Sequence, residues 1–221
     1  MATTFTFLSS GTFTLTGSHV GQSVTIACYG AGGRGSNTGN GGSGGAYSKI
    51  IKVLPTGSYL VGVGKNDYNG YGNGGDTWFK SGSANIIVCQ AGGGNQDGTI
   101  DNQLTSATGS TVYYGGYGCP DFQGYSSYNG SGGGGGASET ANGQNGQSAF
   151  YSTDLTAASG GYSVAGGTGG AGGFYYAGAA TNRVVAPTEG SFPGGGGGGS
   201  YDYGNAYDAI GGNGVCYITV P

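Results

Sequence analysis

Glycine arrives in runs along this chain, and that limits the fold more than any other feature. The runs are Gly30–Gly45, Gly70–Gly75, Gly92–Gly98, Gly130–Gly136, Gly160–Gly173, Gly194–Gly199 and Gly211–Gly214. Glycine costs about 1 kcal/mol in a helix interior, and no window keeps a 3.6-residue apolar period without several glycines. Helix is therefore excluded as the main element. The chain holds 57 glycines in 221 residues, several times the usual share of roughly 7%. Collagen would need glycine at every third position, and stretches such as GGYSVAGGTGGAGGFYYAG do not keep that register. Disorder would need few aromatics and a high net charge. Here aromatics make up 12%, Tyr alone numbers 18, and the formal net charge is only -4. What is left is a folded chain in which glycine itself makes the structure.

One isolated glycine run in water is a flexible linker. Many runs in one chain can do something else. An extended left-handed helix with three residues per turn rises ~3.1 Å per residue and makes no internal hydrogen bonds. Its N–H and C=O groups point outward and must find partners if buried. Runs lying side by side can supply them, provided no Cβ holds the backbones apart. Glycine meets that condition, and Cα–H···O contacts add a little. The ordering entropy is large, since glycine loses more freedom than any other residue. The bond network and the packing of the tyrosines, apolar in body and polar at the tip, must offset it.

Strand signals stand between the runs. FTF and TFTL alternate, with Phe5 and Phe7, then Phe13 and Leu15, on one face. SVTIACYG places Val24, Ile26 and Cys28 on one face and Thr25 and Ala27 on the other. KIIKVL and SYLVGVG flank the turn Pro55-Thr56-Gly57. TWF, ANIIVCQ, TVYY and the terminal VCYITV complete the set. VTIACYGAGG and NIIVCQAGGG share an order of strand, Cys, spacer and glycine run, and GGNGVCYITV has the same parts reversed. The expected fold is all-β: a short-stranded β-sandwich merging into a packed bundle of polyglycine II helices, with essentially no α-helix. Strands are expected near residues 3–30, 47–64, 76–90 and 215–220. Residues 1–90 form the strand-rich region and 91–214 the region of glycine runs and aromatic loops. Residues 215–221 return to pair with the early strands, because an apolar strand left alone would be an exposed edge.

Several functions fall away on composition. Six Lys and Arg in a slightly acidic chain give no basic stripe for nucleic acid. No apolar run is long enough to span a membrane. MATTFTFLSSGTF lacks the basic and apolar parts of a signal peptide, so synthesis in a cytoplasm without the usual secretion route is expected. Cys28, Cys89, Cys119 and Cys216 form no C-x-x-C motif. They are read as buried thiols acting as small apolar residues or, alternatively, as contributing a late-formed disulfide between two strands. Gly30 to Gly35 matches G-x-G-x-x-G, but SNTGNGGSGG cannot open the helix that a dinucleotide site needs. The single histidine, His19, lies in a turn-like GSHVG. The acids Asp97, Asp101, Asp121, Asp154, Glu139 and Glu189 are scattered, without a glycosidase pair or a calcium loop. No catalytic residue, cofactor or metal is expected.

The alternation of glycine-rich motifs with aromatic loops resembles the tip adhesins of T-even-like phage long tail fibres. The stretch VTIACYGAGGRGSNTGNGGSGGAYSKIIKVLPTGSYLVGVGKNDYNGYGNGGDTWF is similar to a glycine-rich domain of phage tail-fibre and other virion proteins. Its pattern is a strand into GAGG, then GG-A-Y, a P-T-G turn, a strand ending VGVG, and GGDTWF. Unlike the tip adhesins, this chain begins directly with strands and shows no separate fibre-attachment domain. The resemblance implies a polyglycine II sandwich whose loops contact a host receptor. It also implies a place on the virion surface and, as partners, a host cell-surface protein or glycan and other virion proteins. Neither nucleic acid nor membrane insertion is implied, and an oligomer is possible. Tyrosine-rich loops suit recognition, giving rigid aromatic area beside adaptable polar groups. The candidate receptor-binding residues are Tyr113, Tyr114, Tyr117, Tyr125, Tyr128, Phe174, Tyr175, Tyr176, Tyr201, Tyr203 and Tyr207. Tyrosines that only cover the glycine stack are the competing reading of the same residues. A purely structural virion component and an ice-binding or matrix protein are the competing functions.

Overall fold

The computed structural model describes residues 1–36, 40–66, 72–82, 87–96, 107–119, 128–129, 131–147, 160–161, 163, 166–170, 174–176, 183–198 and 209–221. The strands are β1 (Thr3–Phe7), β2 (Gly11–Leu15), β3 (Ser23–Tyr29), β4 (Tyr47–Val53), β5 (Gly57–Gly62), β6 (Thr77–Ser81), β7 (Ile87–Ala91), β8 (Thr111–Tyr113), β9 (Tyr128–Asn129), β10 (Phe174–Tyr176), β11 (Arg183–Val185) and β12 (Val215–Val220). The protein is all-β. Among the described residues the only helical turn is a 3-10 turn at Gly17–His19, and no helix is long and apolar enough to cross a membrane.

Two antiparallel sheets face one another. The first has the order β1-β12-β3-β4-β8 and the second β2-β5-β6-β7; a small third sheet runs β11-β10-β9. The C-terminal strand is thus inserted between the first strand and the third, with Phe7 opposite Cys216 and Cys216 opposite Cys28. Alternation decides which side chains enter the core. Val24, Ile26 and Cys28 of β3 are buried, and so are Cys216, Ile218 and Val220 of β12, while Thr25 and Ala27 point to the other face and are half-buried. They meet Phe13, Leu15, Tyr59, Val61, Phe79, Cys89 and Ala91 of the second sheet. Tyr59 stacks on Phe79 at 5.0 Å, and its hydroxyl donates to the Pro55 carbonyl at 2.7 Å, tying down the turn between β4 and β5. Phe5, expected on the face of Phe7, stays 42% exposed on the edge strand and meets only the rim of the core through Phe13.

Strands pass straight into glycine segments: β3 into residues 30–36, β7 into 92–95 and β8 into 114–119. Segments 40–46, 72–75 and 209–214 in turn lead into β4, β6 and β12. These segments bond to one another with a three-residue phase. In residues 30–36, Gly30 and Gly33 donate to Ala46 and Ser43, Ala31 and Arg34 to Gly75 and Gly72, and Gly32 and Gly35 to Gly212 and Ala209. In residues 41–46, Gly41 and Gly44 donate to Cys119 and Gly116, Gly42 and Gly45 to Gly197 and Gly194, and Ser43 and Ala46 to Asn95 and Gly92. Each step of three along one segment is a step of three along its neighbour. Successive residues therefore face different neighbours, and no donor is spent within its own segment. The segment 132–138 repeats the scheme toward 141–147, 167–170 and, running parallel, 42–45.

This close approach explains the residue type. A Cβ on Gly44 would collide with the carbonyl of Gly135, on Gly134 with that of Gly116, and on Gly197 with that of Ala209. The obstacle is backbone in every case, so no side chain can swing aside.

Two differences from the sequence-based expectation stand out. Phe174–Tyr176, read as a loop, is β10, the central strand of the small sheet; three consecutive aromatics have high strand propensity, which outweighs the flanking glycines. The sandwich also reaches past residue 90, since β8 pairs with β4 through Tyr113 and Tyr47.

Candidate binding surface

The candidate aromatics separate by environment. Tyr113 ends β8, half-buried, and its ring stacks on that of Tyr47 at 6.3 Å and 26°. Tyr47 meets Tyr29 edge-on at 4.8 Å, and Tyr29 meets Tyr217 at 6.0 Å. These rings lie on the outer side of the first sheet, where Ala137 of a glycine segment packs against them. Burial pushes the Tyr29 hydroxyl up from 10 to about 12, with Glu139 and Tyr217 adding to it. Burial, Tyr29 and Glu139 raise Tyr47 as well. Tyr113 therefore borders a packed junction between sandwich and bundle. Tyr114 is half-buried and packs against the sandwich core. Tyr117 is 47% exposed.

Tyr114 and Tyr117 are three residues apart, one repeat of the bonding phase, and both are held by a second segment. The Tyr114 N–H donates to Asn142 Oδ1 at 2.8 Å, and the Tyr117 N–H to Asn145 Oδ1 at 2.9 Å. Gly143 and Gly146 complete the contact, donating their N–H groups to the carbonyls of Tyr114 and Tyr117 at 2.9 Å. On the far side, the Gln144 and Gln147 carbonyls accept from Gly135 and Gly132. In the triplet Asn-Gly-Gln, read twice over residues 142–147, the Asn amide clamps the tyrosine segment, the Gly permits close contact and the Gln carbonyl bonds to segment 132–138. Asn142, Gln144, Asn145 and Gln147 are exposed. Sequence reasoning did not single these residues out, although the triplet repeat is visible in the sequence and matches the period of the fold.

Of the remaining candidates, Tyr128 lies in β9 and Phe174, Tyr175 and Tyr176 in β10. The backbone register sets Tyr175 opposite Tyr128, and Phe174 opposite Asn129, so two stretches far apart in sequence meet. Tyr125, Tyr201, Tyr203 and Tyr207 lie outside the described residues.

The dinucleotide-like motif has a clear structural role. Every backbone N–H from Gly30 to Gly35 is donated to a protein carbonyl, which leaves this stretch no backbone donors to cradle a phosphate. Glu139 and Glu189 are exposed, and among the described residues no group of His, Cys, Asp and Glu is placed to hold a metal. No protein-family model matches the chain, and no curated protein is similar to it.

Proposed function

We propose that this chain is a non-enzymatic virion adhesin of the tail-fibre type, whose glycine segments form polyglycine II helices and display aromatic residues to a host cell-surface receptor. The three-residue phase of the bonds between segments supports the helical assignment, because it matches a three-residue turn with outward donors. The observation that carries the functional assignment is Tyr117. It is a large aromatic side chain held in the open by backbone bonds on a rigid segment, while Tyr113 and Tyr114 beside it are packed inward. Binding hot spots are enriched in tyrosine held in this way on a preorganised surface. The pairing of Tyr128 with Tyr175 adds a second place where aromatic residues gather.

The test is binding of the purified protein to host cells. Tyr117→Ala is expected to weaken binding by roughly 30-fold, the equivalent of about 2 kcal/mol at a hot spot, with an unchanged melting temperature. Tyr175→Ala and Tyr203→Ala are expected to act in the same direction. Undiminished binding in all three variants would remove these aromatics from the receptor surface. Failure of the wild-type protein to bind any host cell would leave a purely structural virion role.

A further inference from the structure

Three cysteines fall in one layer at the neck of the molecule, where chain passes between sandwich and bundle. Cys28 lies two residues before Gly30 and Cys216 two residues after Gly214, and Cys89 precedes Gly92 by three. All three are fully buried. The Cys28 and Cys216 sulfurs are 3.8 Å apart, on directly opposed residues of β3 and β12. Cys89 belongs to the facing sheet, where its thiol donates to the Ser48 carbonyl at 3.5 Å.

We propose that Cys28 and Cys216 are a disulfide pair that closes under oxidising conditions and staples the neck of the bundle. Opposed residues on neighbouring antiparallel strands have Cα atoms ~4.5–5.5 Å apart, inside the range a disulfide spans. Cys89 also comes close, its carbonyl 4.0 Å from the Cys28 sulfur, but its thiol is turned to Ser48 of β4, whereas Cys216 meets Cys28 sulfur to sulfur. The oxidant is a small disulfide of the glutathione class. The thiolate of one cysteine attacks it, releasing one reduced thiol and leaving a mixed disulfide. The second cysteine then attacks the protein sulfur of that mixed disulfide and releases the second reduced thiol. Two protein thiols become one disulfide, and one small disulfide becomes two small thiols.

Access sets the rate. Hydrogen bonding to Cys216 and Cys89, together with burial, holds the Cys28 thiol well above its ordinary pKa, and the full burial of Cys28 and Cys216 shuts the oxidant out of the closed sandwich. The reaction therefore needs β12 to part from β3, either during folding or in a local opening. The closed ring would contain every residue from 28 to 216, and so the whole bundle. Closing so long a loop restrains the unfolded chain strongly.

The proposal is independent of the adhesin function. To test it, the reduced full-length protein is incubated with oxidised glutathione in mild denaturant, returned to buffer, alkylated and mapped by peptide mass. The expected product is a Cys28–Cys216 peptide with Cys89 and Cys119 alkylated, and a melting temperature higher by roughly 5–15 °C. Cys89→Ser should keep both results and Cys216→Ser should lose both. Should Cys216→Ser fail to fold, the variant carrying Cys89→Ser and Cys119→Ser leaves Cys28 and Cys216 as the only thiols, and the link must form in it. Glutathione adducts without the link, a Cys28–Cys89 product, or a linked protein of unchanged melting temperature would overturn the proposal.

Discussion

The sandwich and the bundle solve the same problem by opposite means. In the sandwich, backbones stay far apart and side chains such as Ile26, Ile218 and Phe79 fill the space between them. In the bundle, backbones approach until carbonyls touch the positions a Cβ would occupy, and hydrogen bonds between segments take the place of apolar filling. The sandwich core is tolerant of chemistry and sensitive to lost volume. The bundle core has no volume to lose and cannot accept any. One chain thus carries two stability rules, with the boundary running through Tyr29, Tyr47 and Val215.

Removing Val215–Pro221 should break both regions at once. It takes away β12, the partner of both β1 and β3, and opens two edges in the middle of a sheet. The expected product is insoluble or unfolded. A soluble truncation with a cooperative thermal transition would mean that the two regions do not depend on this strand.

Next in size is Gly134→Val or Gly197→Val. Overpacking alone costs ~1–3 kcal/mol, and displacing a segment also breaks bonds worth about 1 kcal/mol each. A loss above about 3 kcal/mol is expected by chemical denaturation for each variant. An unchanged denaturation midpoint in both would reduce the bundle to surface linkers. The reverse substitution probes the other region. Ile218→Ala empties part of the sandwich core and should cost ~2–5 kcal/mol, with the bundle's amide protons still slow to exchange at any denaturant level where the protein is native. Equal loss of protection in both regions would show that they unfold as one unit.

The smallest effect at neutral pH lies at the boundary. Tyr29 titrates near pH 12 in the folded protein and near pH 10 in the unfolded chain. The folded state therefore favours the protonated hydroxyl, and this contribution is complete below about pH 10 and lost progressively toward pH 12. Tyr29→Phe should flatten the decline of stability in that window, read as melting temperature against pH. Parallel curves for the variant and the wild type would place the Tyr29 hydroxyl in water.

Much of this was legible in the residues themselves, for local reasons. Strict alternation in SVTIACYG fixed the buried face of β3. The apolar terminus VCYITV needed partners, and it has two. The shared order of strand, cysteine and glycine run in three places showed how strands and glycine runs are joined, but that it sets three cysteines at one level emerges only from the fold. The bonding partners of the glycine segments were not legible, since glycine carries no side chain to mark its neighbour. That 134–137 runs parallel to 42–45, 143–146 to 114–117 and 167–170 to 193–196, while 30–33 runs antiparallel to 43–46, has no signal in the sequence. The Asn142 and Asn145 clamps did leave a trace, a triplet repeat, but its meaning depends on knowing that the period of the fold is three. For the candidate surface, composition located aromatic stretches without telling Tyr117, exposed, from Tyr113, stacked on Tyr47.

The three-residue phase carries a consequence for inheritance. A nine-base deletion inside the stretch encoding residues 41–46 would shorten the segment by one bonding repeat and keep each remaining donor aimed at its former neighbour. A three-base deletion would move everything beyond it one step out of the three-residue phase and misdirect those bonds together. The junctions between segments are under no such rule. Length should therefore drift freely at the joints of this protein and, within the segments, only in multiples of three codons, so that the reading of the bundle has a frame of its own above that of the ribosome.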